Sequence, residues 1–183
     1  MAYKNKTITN PITGQAIRFV QTTKDTNGAL LEMETIYNAG SKEPPSHYHP
    51  LQSEDFAVLY GEVDVKINHK KIKLQAGETL HIPANTAHAM WNSSDGKAIV
   101  SWKVKPALET EYLLETITGL AIDGKTNASG RPGLLQTCLL MNKFSPVFRL
   151  SQPPYQVQRI MFDVLRPFAL LRGLKAVYRK YID

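Results

Sequence analysis

Residues 6–105 contain short runs in which apolar and polar side chains alternate, and turn residues separate the runs. In the clearest case, residues 63–67 alternate valine and isoleucine with charged neighbours, residues 68–71 form a polar turn, and apolar residues return over 72–74. A period of two is typical of a half-buried strand, and two such runs around a short turn predict a hairpin. Because no helical pattern separates the strands, the sequence predicts a mainly β fold, an antiparallel sandwich or barrel rather than a parallel sheet.

The spacing of apolar residues changes to a helical period after residue 106. Pro167 lies inside the last helical stretch and, because proline lacks a backbone N–H, it is predicted to divide that stretch into two helices. The sequence therefore predicts a β-barrel over residues 1–106 and a C-terminal helical extension over residues 107–183 that packs on the barrel. Helices are predicted over residues 108–123 and 134–141 and from residue 153 onward, with a turn-rich linker at 126–133.

The net charge of +6 comes from the C-terminal segment. Residues 143–183 hold eight lysines and arginines against Asp163 and Asp183, whereas the first 142 residues are neutral overall. No nucleic-acid partner is expected, because no base-reading element accompanies the basic residues. These residues alternate with apolar ones, as on an amphipathic helix. We favour helices packed on the barrel with their basic face in water, over a membrane surface or an acidic partner.

Cys138 is the only cysteine of the chain, so it forms neither an internal disulfide nor a cysteine metal cluster. This agrees with a reducing compartment. The longest uninterrupted apolar run, residues 56–60, is far shorter than the roughly 20 residues needed to cross a bilayer. The first residues lack the apolar core of a secretory signal, so we expect a cytoplasmic protein. Any metal site must then use histidine and carboxylate ligands.

The residues that carry chemistry are concentrated in two stretches, around His47 and around His88. Alternate residues of a strand point to the same face, so His47 and His49 place two imidazoles in one space. Glu54 begins the next alternating run, and a strand crossing beside the first one would add its carboxylate. His88 begins a later strand and would supply a third imidazole.

These stretches resemble the two motifs of the cupin family, G-x(5)-H-x-H-x(3,4)-E-x(6)-G and G-x(5)-P-x-G-x(2)-H-x(3)-N. Two positions depart from them: Gly40 lies one residue further from His47, and Asn85 replaces the glycine after the proline. A loop absorbs one residue, and asparagine tolerates a left-handed backbone well, so the resemblance over residues 30–105 stays strong. The residues at the family's spacings are His47, His49, Glu54, Gly61, Gly77, Pro83, His88 and Asn92.

The resemblance, which is to small bacterial single-barrel cupins, implies a double-stranded β-helix. This is a jelly-roll barrel with a metal inside one open end, and C-terminal α-helices would follow it. It implies that His47, His49, Glu54 and His88 bind one divalent transition metal, which would be Fe, Mn, Ni, Co, Cu or Zn. Such a set leaves two positions free on a six-coordinate ion, as a reaction between substrate and O₂ or water requires. Partners that orient the free ring nitrogens are expected. Because small cupins commonly pair through their sheets, a homodimer is expected as well.

The leading interpretation is a mononuclear metalloenzyme that adds O₂ to a small organic molecule in the manner of quercetin-type dioxygenases, with Glu54 also acting as a general base. A non-catalytic module that binds or stores a small molecule is the alternative, and a metal-dependent isomerase or hydrolase is a third. His69 and His81 have no comparable partners and are interpreted as ordinary surface histidines. The side chains that would line a substrate pocket, or fill the barrel as core, are Met33, Tyr37, Gln52, Phe56, Met90 and Trp102.

Overall fold

The structure, a computed structural model, describes residues 2–182. Short strands follow one another as far as residue 105, and a further strand lies within the helical segment. The strands are β1 (Thr7–Thr9), β2 (Ala16–Gln21), β3 (Leu31–Tyr37), β4 (His47–Tyr48), β5 (Ser53–Tyr60), β6 (Glu62–Ile67), β7 (Lys70–Gln75), β8 (Thr79–Ile82), β9 (His88–Trp91), β10 (Ala98–Lys105) and β11 (Arg149–Leu150).

These strands form two antiparallel sheets. One sheet has the order β1-β2-β3-β10-β5-β8, and the other has the order β11-β4-β9-β6-β7. The predicted hairpin is confirmed, since β6 and β7 pair with Ile67 opposite Lys70. Other neighbours are distant in the chain, as where β10 lies between β3 and β5. The fold is mainly β, a double-stranded β-helix followed by α-helices, as the sequence predicts.

The main apolar core of the barrel lies between the two sheets. Phe56, Val58 and Val100 reach it from the six-stranded sheet. Val63 and Val65 of β6 reach it from the other sheet, and along β5 and β6 every second residue is buried. Burying a side chain of this size contributes about 1.5–3 kcal/mol, so this shared core holds the two sheets together.

The helices have a core of their own. They are α1 (Thr110–Ile122), α2 (Leu134–Lys143), α3 (Tyr155–Leu171) and α4 (Arg179–Ile182). Leu120, Cys138 and Phe162 are buried in this core, so α1, α2 and α3 meet there. Contacts that join this segment to the barrel include the pairing of β11 with β4 and an ion pair between Lys6 and Glu115 at 2.6 Å. None of the helices within residues 2–182 is long and apolar enough to span a membrane.

Pro167 does not divide the last helical stretch, and that prediction is wrong. Helix α3 runs without interruption from Tyr155 to Leu171. Proline removes one intrahelical hydrogen bond, but helices in proteins are stabilised mostly by tertiary packing. Phe162 and Ala169 are buried on either side of Pro167, so packing holds both halves of the helix in place.

Two turn residues have the left-handed backbone that their types allow. Asn85 has a φ of 64°, which confirms that asparagine tolerates the left-handed backbone here. Gly61, between β5 and β6, has a φ of 74°, and a Cβ atom there would lie 2.4 Å from the carbonyl oxygen of Lys97. Gly77 has a φ of 91°, but a Cβ atom there would meet nothing within 4 Å. Gly61 is therefore required both by its φ and by the close approach of another strand.

We expect Gly61→Ala to destabilise the fold more than Gly77→Ala. Both variants place alanine at positive φ, which costs of order 1–3 kcal/mol, but only Gly61→Ala adds a clash with backbone. Urea unfolding followed by circular dichroism should give Gly61→Ala the lower midpoint. Equal midpoints would show that the contact with Lys97 does not constrain this turn.

Candidate metal centre

The four side chains singled out by their spacing converge between the two sheets. His47 on β4 and His88 on β9 are paired opposite each other in the five-stranded sheet, and His49 directly follows β4. Glu54 belongs to β5 in the six-stranded sheet. The expectation of a strand beside the first was therefore wrong. Because the short segment after His49 crosses from one sheet to the other, Glu54 faces the imidazoles from the opposite side.

The three imidazoles lie close enough to bind a single ion. One ligand atom from each of His47, His49 and His88 lies within 4.8 Å of the other two. The ring centroids of His47 and His88 are 4.5 Å apart, and those of His47 and His49 are 5.1 Å apart. His49, His88 and Glu54 expose only 5%, 3% and 1% of their surface, so bulk water screens little of the charge at this site.

Each imidazole has a backbone carbonyl oxygen beside its Nδ1 atom. An Nδ1–H group that donates to a carbonyl leaves the lone pair on Nε2, where a metal binds. In His49 and His88 this Nε2 atom faces Glu54. These carbonyls are the orienting partners that the resemblance implies. The distances are 2.6 Å from His49 to Val147, 2.9 Å from His88 to Thr86 and 3.4 Å from His47 to Pro45.

Glu54 lies among two of the imidazoles and Trp102. Its Oε1 atom accepts a hydrogen bond from Trp102 Nε1 at 2.9 Å and lies 3.3 Å from His49 Nε2, while Oε2 lies 2.8 Å from His88 Nε2.

Burial and these contacts shift the pKa values of the four side chains. Burial works to raise the pKa of Glu54, but the contacts with His88 and His49 lower it below its ordinary value. Burial lowers the pKa of His47 and of His49. Burial also opposes the charge on His88, yet the Glu54 carboxylate raises the pKa of that imidazole. The centre therefore combines an ionised carboxylate with two imidazoles that stay neutral.

Apart from the contacts that the four side chains make with one another, such as the 2.8 Å between Glu54 Oε2 and His88 Nε2, two buried atoms of this cluster have no hydrogen-bond partner among residues 2–182, namely His49 Nε2 and Glu54 Oε2. A buried polar atom without a partner costs about 1–3 kcal/mol, and more when the group is charged. A cation between the imidazoles and the carboxylate would engage both atoms. Imidazole nitrogen together with carboxylate oxygen is a donor set for divalent first-row transition metals. These residues thus fit a bound metal ion, and the donor set does not select among the six candidates.

The C-terminal segment supplies one wall of this cluster. The ring of Phe148 stacks on His47, with centroids 4.4 Å apart and planes 20° apart. Val147 accepts the hydrogen bond from His49, and both residues are held in place by the pairing of β11 with β4. Neither residue was predicted from the sequence. No local pattern marks them, because their role depends on a contact between residues 98 positions apart.

Gln52 is buried beneath the start of α1. Its Nε2 atom lies 2.8 Å from the carbonyl oxygen of Pro106, 3.0 Å from that of Ala107 and 2.8 Å from Thr110 Oγ1. Gln52 thereby links the loop that carries the metal-site residues to the first helix. Because the amide nitrogen of Gln52 already donates to these protein atoms, a structural role is favoured over contact with a substrate.

The other five pocket candidates lie inside the barrel. Trp102 bonds to Glu54 and stacks against Phe56 at a centroid distance of 6.0 Å. Burial and the nearby Glu54 charge raise the pKa of Tyr37, which places its phenol near the carboxylate. Met90 belongs to the same core as Phe56, whereas Met33 packs in a second cluster that Trp102 also touches. Their contact with a substrate stays a prediction.

Comparison with known proteins shows which proteins the region of this centre is similar to. Residues 33–103 match the family model described as a cupin domain, and this range includes all four side chains of the centre. A segment of 79 residues, 43% of the chain, is 32% identical to the quercetin 2,3-dioxygenase of Bacillus subtilis (strain 168) and covers 23% of that protein. The chain thus spans about a quarter of the length of this curated relative.

Two solved structures resemble the barrel. An RmlC-like cupin from Shewanella frigidimarina NCIMB 400 is 20% identical, with a TM-score of 0.49, over 61% of this chain and 94% of the other. A predicted oxalate decarboxylase from Thermotoga maritima is 18% identical, with a TM-score of 0.49, over 58% of this chain and 99% of the other.

We expect the purified, untagged protein to contain about one equivalent of a divalent transition metal, and His88→Ala to lose most of it, because the variant lacks one of the three imidazoles. Mass spectrometry of the metal content measures both. His81→Ala is the matched control, since His81 lies at the surface with its Nδ1 atom 2.7 Å from Asp55. A wild-type protein that holds no metal and takes up none on dialysis would contradict the metal centre.

We expect Phe148→Ala to release the metal to a chelator roughly tenfold faster, which corresponds to about 1.4 kcal/mol, because the ring that covers His47 is removed. Phe168→Ala on the exposed face of α3 is the control. Release rates are measured with a chelator that absorbs visible light when it binds metal. If both variants release metal at the wild-type rate, Phe148 does not limit access to the centre.

Proposed function

We propose that this chain is a mononuclear metalloenzyme that adds O₂ to a small organic molecule, because residues 33–103 match the model of a cupin domain. His47, His49, His88 and Glu54 would hold the metal. The observation that carries the proposal is a pair of buried atoms, His49 Nε2 and Glu54 Oε2, that have no partner among residues 2–182 outside the cluster of three imidazoles and Glu54. The partial identity to a quercetin 2,3-dioxygenase supports O₂ as the co-substrate.

Glu54 and Trp102 have separate roles beside the metal in the proposed reaction. A bound divalent metal supplies Lewis-acid activation of a substrate oxygen and open positions for O₂. Glu54 accepts a proton, because its pKa lies below the ordinary value and the group is ionised at neutral pH. Trp102 donates to Oε1 and so orients the carboxylate. Oε2, which lies beside His88 Nε2, would bind the metal and would accept the proton of a substrate hydroxyl only while it is released from the ion.

The surroundings of Glu54 exclude water from the reaction. Phe148 covers His47 on one side, and Phe56 and Met90 are buried in the barrel core. An apolar enclosure strengthens the electrostatic contacts of a carboxylate and protects reactive species from hydrolysis. These features favour a planar, largely apolar substrate with one or two oxygen donors, such as a flavonol or a diketone.

We expect metal-loaded protein to consume O₂ in the presence of a flavonol or a β-diketone, and Glu54→Gln to reduce the rate by roughly 100-fold or more while retaining part of the metal. The amide keeps the size of Glu54 but accepts no proton. An oxygen electrode measures the rate, and metal content is determined on the same samples. Glu62→Gln, on the barrel surface, is the control and should match the wild type.

Unchanged turnover in Glu54→Gln would contradict the role of Glu54 as a base. Absence of O₂ uptake by metal-loaded protein with every substrate of these classes would contradict the dioxygenase. Turnover of the same substrates under argon would assign an isomerase or hydrolase instead.

A non-catalytic module that holds a small molecule is the second candidate. The near-complete burial of His49 and His88 and the cover provided by Phe148 favour slow exchange, which suits storage. Mass spectrometry of the supernatant after denaturation would detect a co-purifying ligand. A bound ligand without O₂ uptake would select this candidate. A second copy of the chain, paired through the sheets, stays a prediction.

A further inference from the structure

One face of α3 is apolar and exposed. Five large side chains on it leave between 52% and 85% of their surface in solvent. Their positions follow one another at steps of three or four residues, so they form one stripe along the helix. The stripe consists of Val157, Ile160, Val164, Phe168 and Leu171.

The opposite face of α3 is already packed against the protein. Gln158, Phe162 and Ala169 are buried, and the Sγ atom of Cys138 in α2 lies 3.0 Å from the carbonyl oxygen of Phe162. Packing of α3 on the rest of the chain therefore leaves the apolar stripe uncovered. The sequence favoured a basic face in water, but the exposed surface of α3 is apolar as well as basic.

Among residues 2–182, most cations of α3 and of the segment after it have no acidic partner, although Lys180 pairs with Asp123. Among residues 2–182, no ion pair involves Arg159, Arg166, Arg172 or Lys175, and all four are exposed. Lysines and arginines of the barrel, in contrast, commonly have a carboxylate within 4 Å, as in the pair of Arg18 with Glu34. The only acid of α3 is Asp163, which accepts a hydrogen bond from Asn142.

The positive charge of this segment favours an anionic lipid surface over a second copy of the chain as the partner of the stripe. A second copy of the chain would bring two basic segments together, which opposes association. An anionic lipid surface offers an apolar layer for the stripe and negative headgroups for Arg172 and Lys175, the exposed cations at its C-terminal end. Arg159 and Arg166 project about 140–160° away from the centre of the stripe and add to the positive charge of this segment. We propose that α3 lies along the surface of an anionic bilayer, with the stripe at the boundary between headgroups and acyl chains. From Val157 to Leu171 the stripe is roughly 21 Å long, and the contact is peripheral, since the helix does not span a membrane.

Vesicle binding tests this proposal on the full chain. We expect wild-type protein to sediment with vesicles of equal parts phosphatidylglycerol and phosphatidylcholine, and to remain in solution with phosphatidylcholine alone. Added salt should weaken the binding, because the headgroup attraction is screened. The double variant Arg172→Glu with Lys175→Glu should lower the partition coefficient at least about tenfold. The matched control, Lys24→Glu with Lys97→Glu, makes the same change of net charge on exposed barrel lysines and should bind as the wild type does.

A second pair of variants tests the apolar contribution. Ile160→Ser with Val164→Ser shortens exposed side chains only, so the fold should persist, as checked by circular dichroism, while vesicle binding is lost. Leu59→Ser with Tyr60→Ser, which are exposed on β5, is the control and should bind normally.

Three results would overturn the proposal. Wild-type protein could fail to bind anionic vesicles, or it could bind neutral and anionic vesicles equally. Alternatively, light scattering could show a dimer that Ile160→Ser with Val164→Ser converts to a monomer, without any vesicle binding. That last result would assign the stripe to a second copy of the chain.

Discussion

The hydrogen bond from His49 Nδ1 to the carbonyl oxygen of Val147, 2.6 Å long, joins parts of the chain that are 98 residues apart. It is buried, so water offers no substitute partner when it breaks. The same bond orients a candidate metal ligand and anchors the helical segment to the barrel. Pairing of β11 with β4 and stacking of Phe148 on His47 bring further parts of that segment to the same place. The centre and the packing of the C-terminal segment therefore depend on each other.

Charge balance at the centre follows from burial. The low pKa of His47 and of His49 keeps both imidazoles neutral, and Glu54 is ionised beside them. Within the centre the negative charge of Glu54 is opposed by the contact with His88, whose pKa it raises, by His49 and by the Trp102 N–H group. A divalent cation is the group that matches this set of imidazoles and carboxylate in both charge and donor chemistry. The proposed function rests on this match, and the choice of substrate rests on the apolar walls.

Local patterns in the sequence were sufficient to predict much of the fold and part of the candidate metal centre. The shared face of His47 and His49 and the hairpin of β6 and β7 follow from a period of two, and the left-handed turn at Asn85 follows from residue type. His88 was identified from the second motif of the resemblance. The features that were not predicted all depend on distant contacts. Glu54 reaches the imidazoles from the opposite sheet because of how the chain crosses between sheets.

The role of Val147 and the continuity of α3 through Pro167 also depend on contacts between distant parts of the chain. Val147 is positioned by strand pairing with a distant segment, and α3 stays continuous because it packs on α2. Alternation along a strand shows which residues share a face, but it does not show which other strand they meet. Alternation alone therefore does not show which pocket candidates face a substrate. Gln52, for example, bonds to the start of α1.

The imidazoles of the centre are oriented by carbonyl oxygens of the main chain, at Pro45, Thr86 and Val147. Every amino acid has a carbonyl group, so replacing any of these three side chains leaves the orienting atom in place. The tuning of the centre is consequently insensitive to point substitution at these positions. It is sensitive instead to insertions and deletions that shift the backbone, above all in the segment before β11. Variation in length, more than variation in residue type, is the kind of sequence change that would alter the chemistry of this barrel.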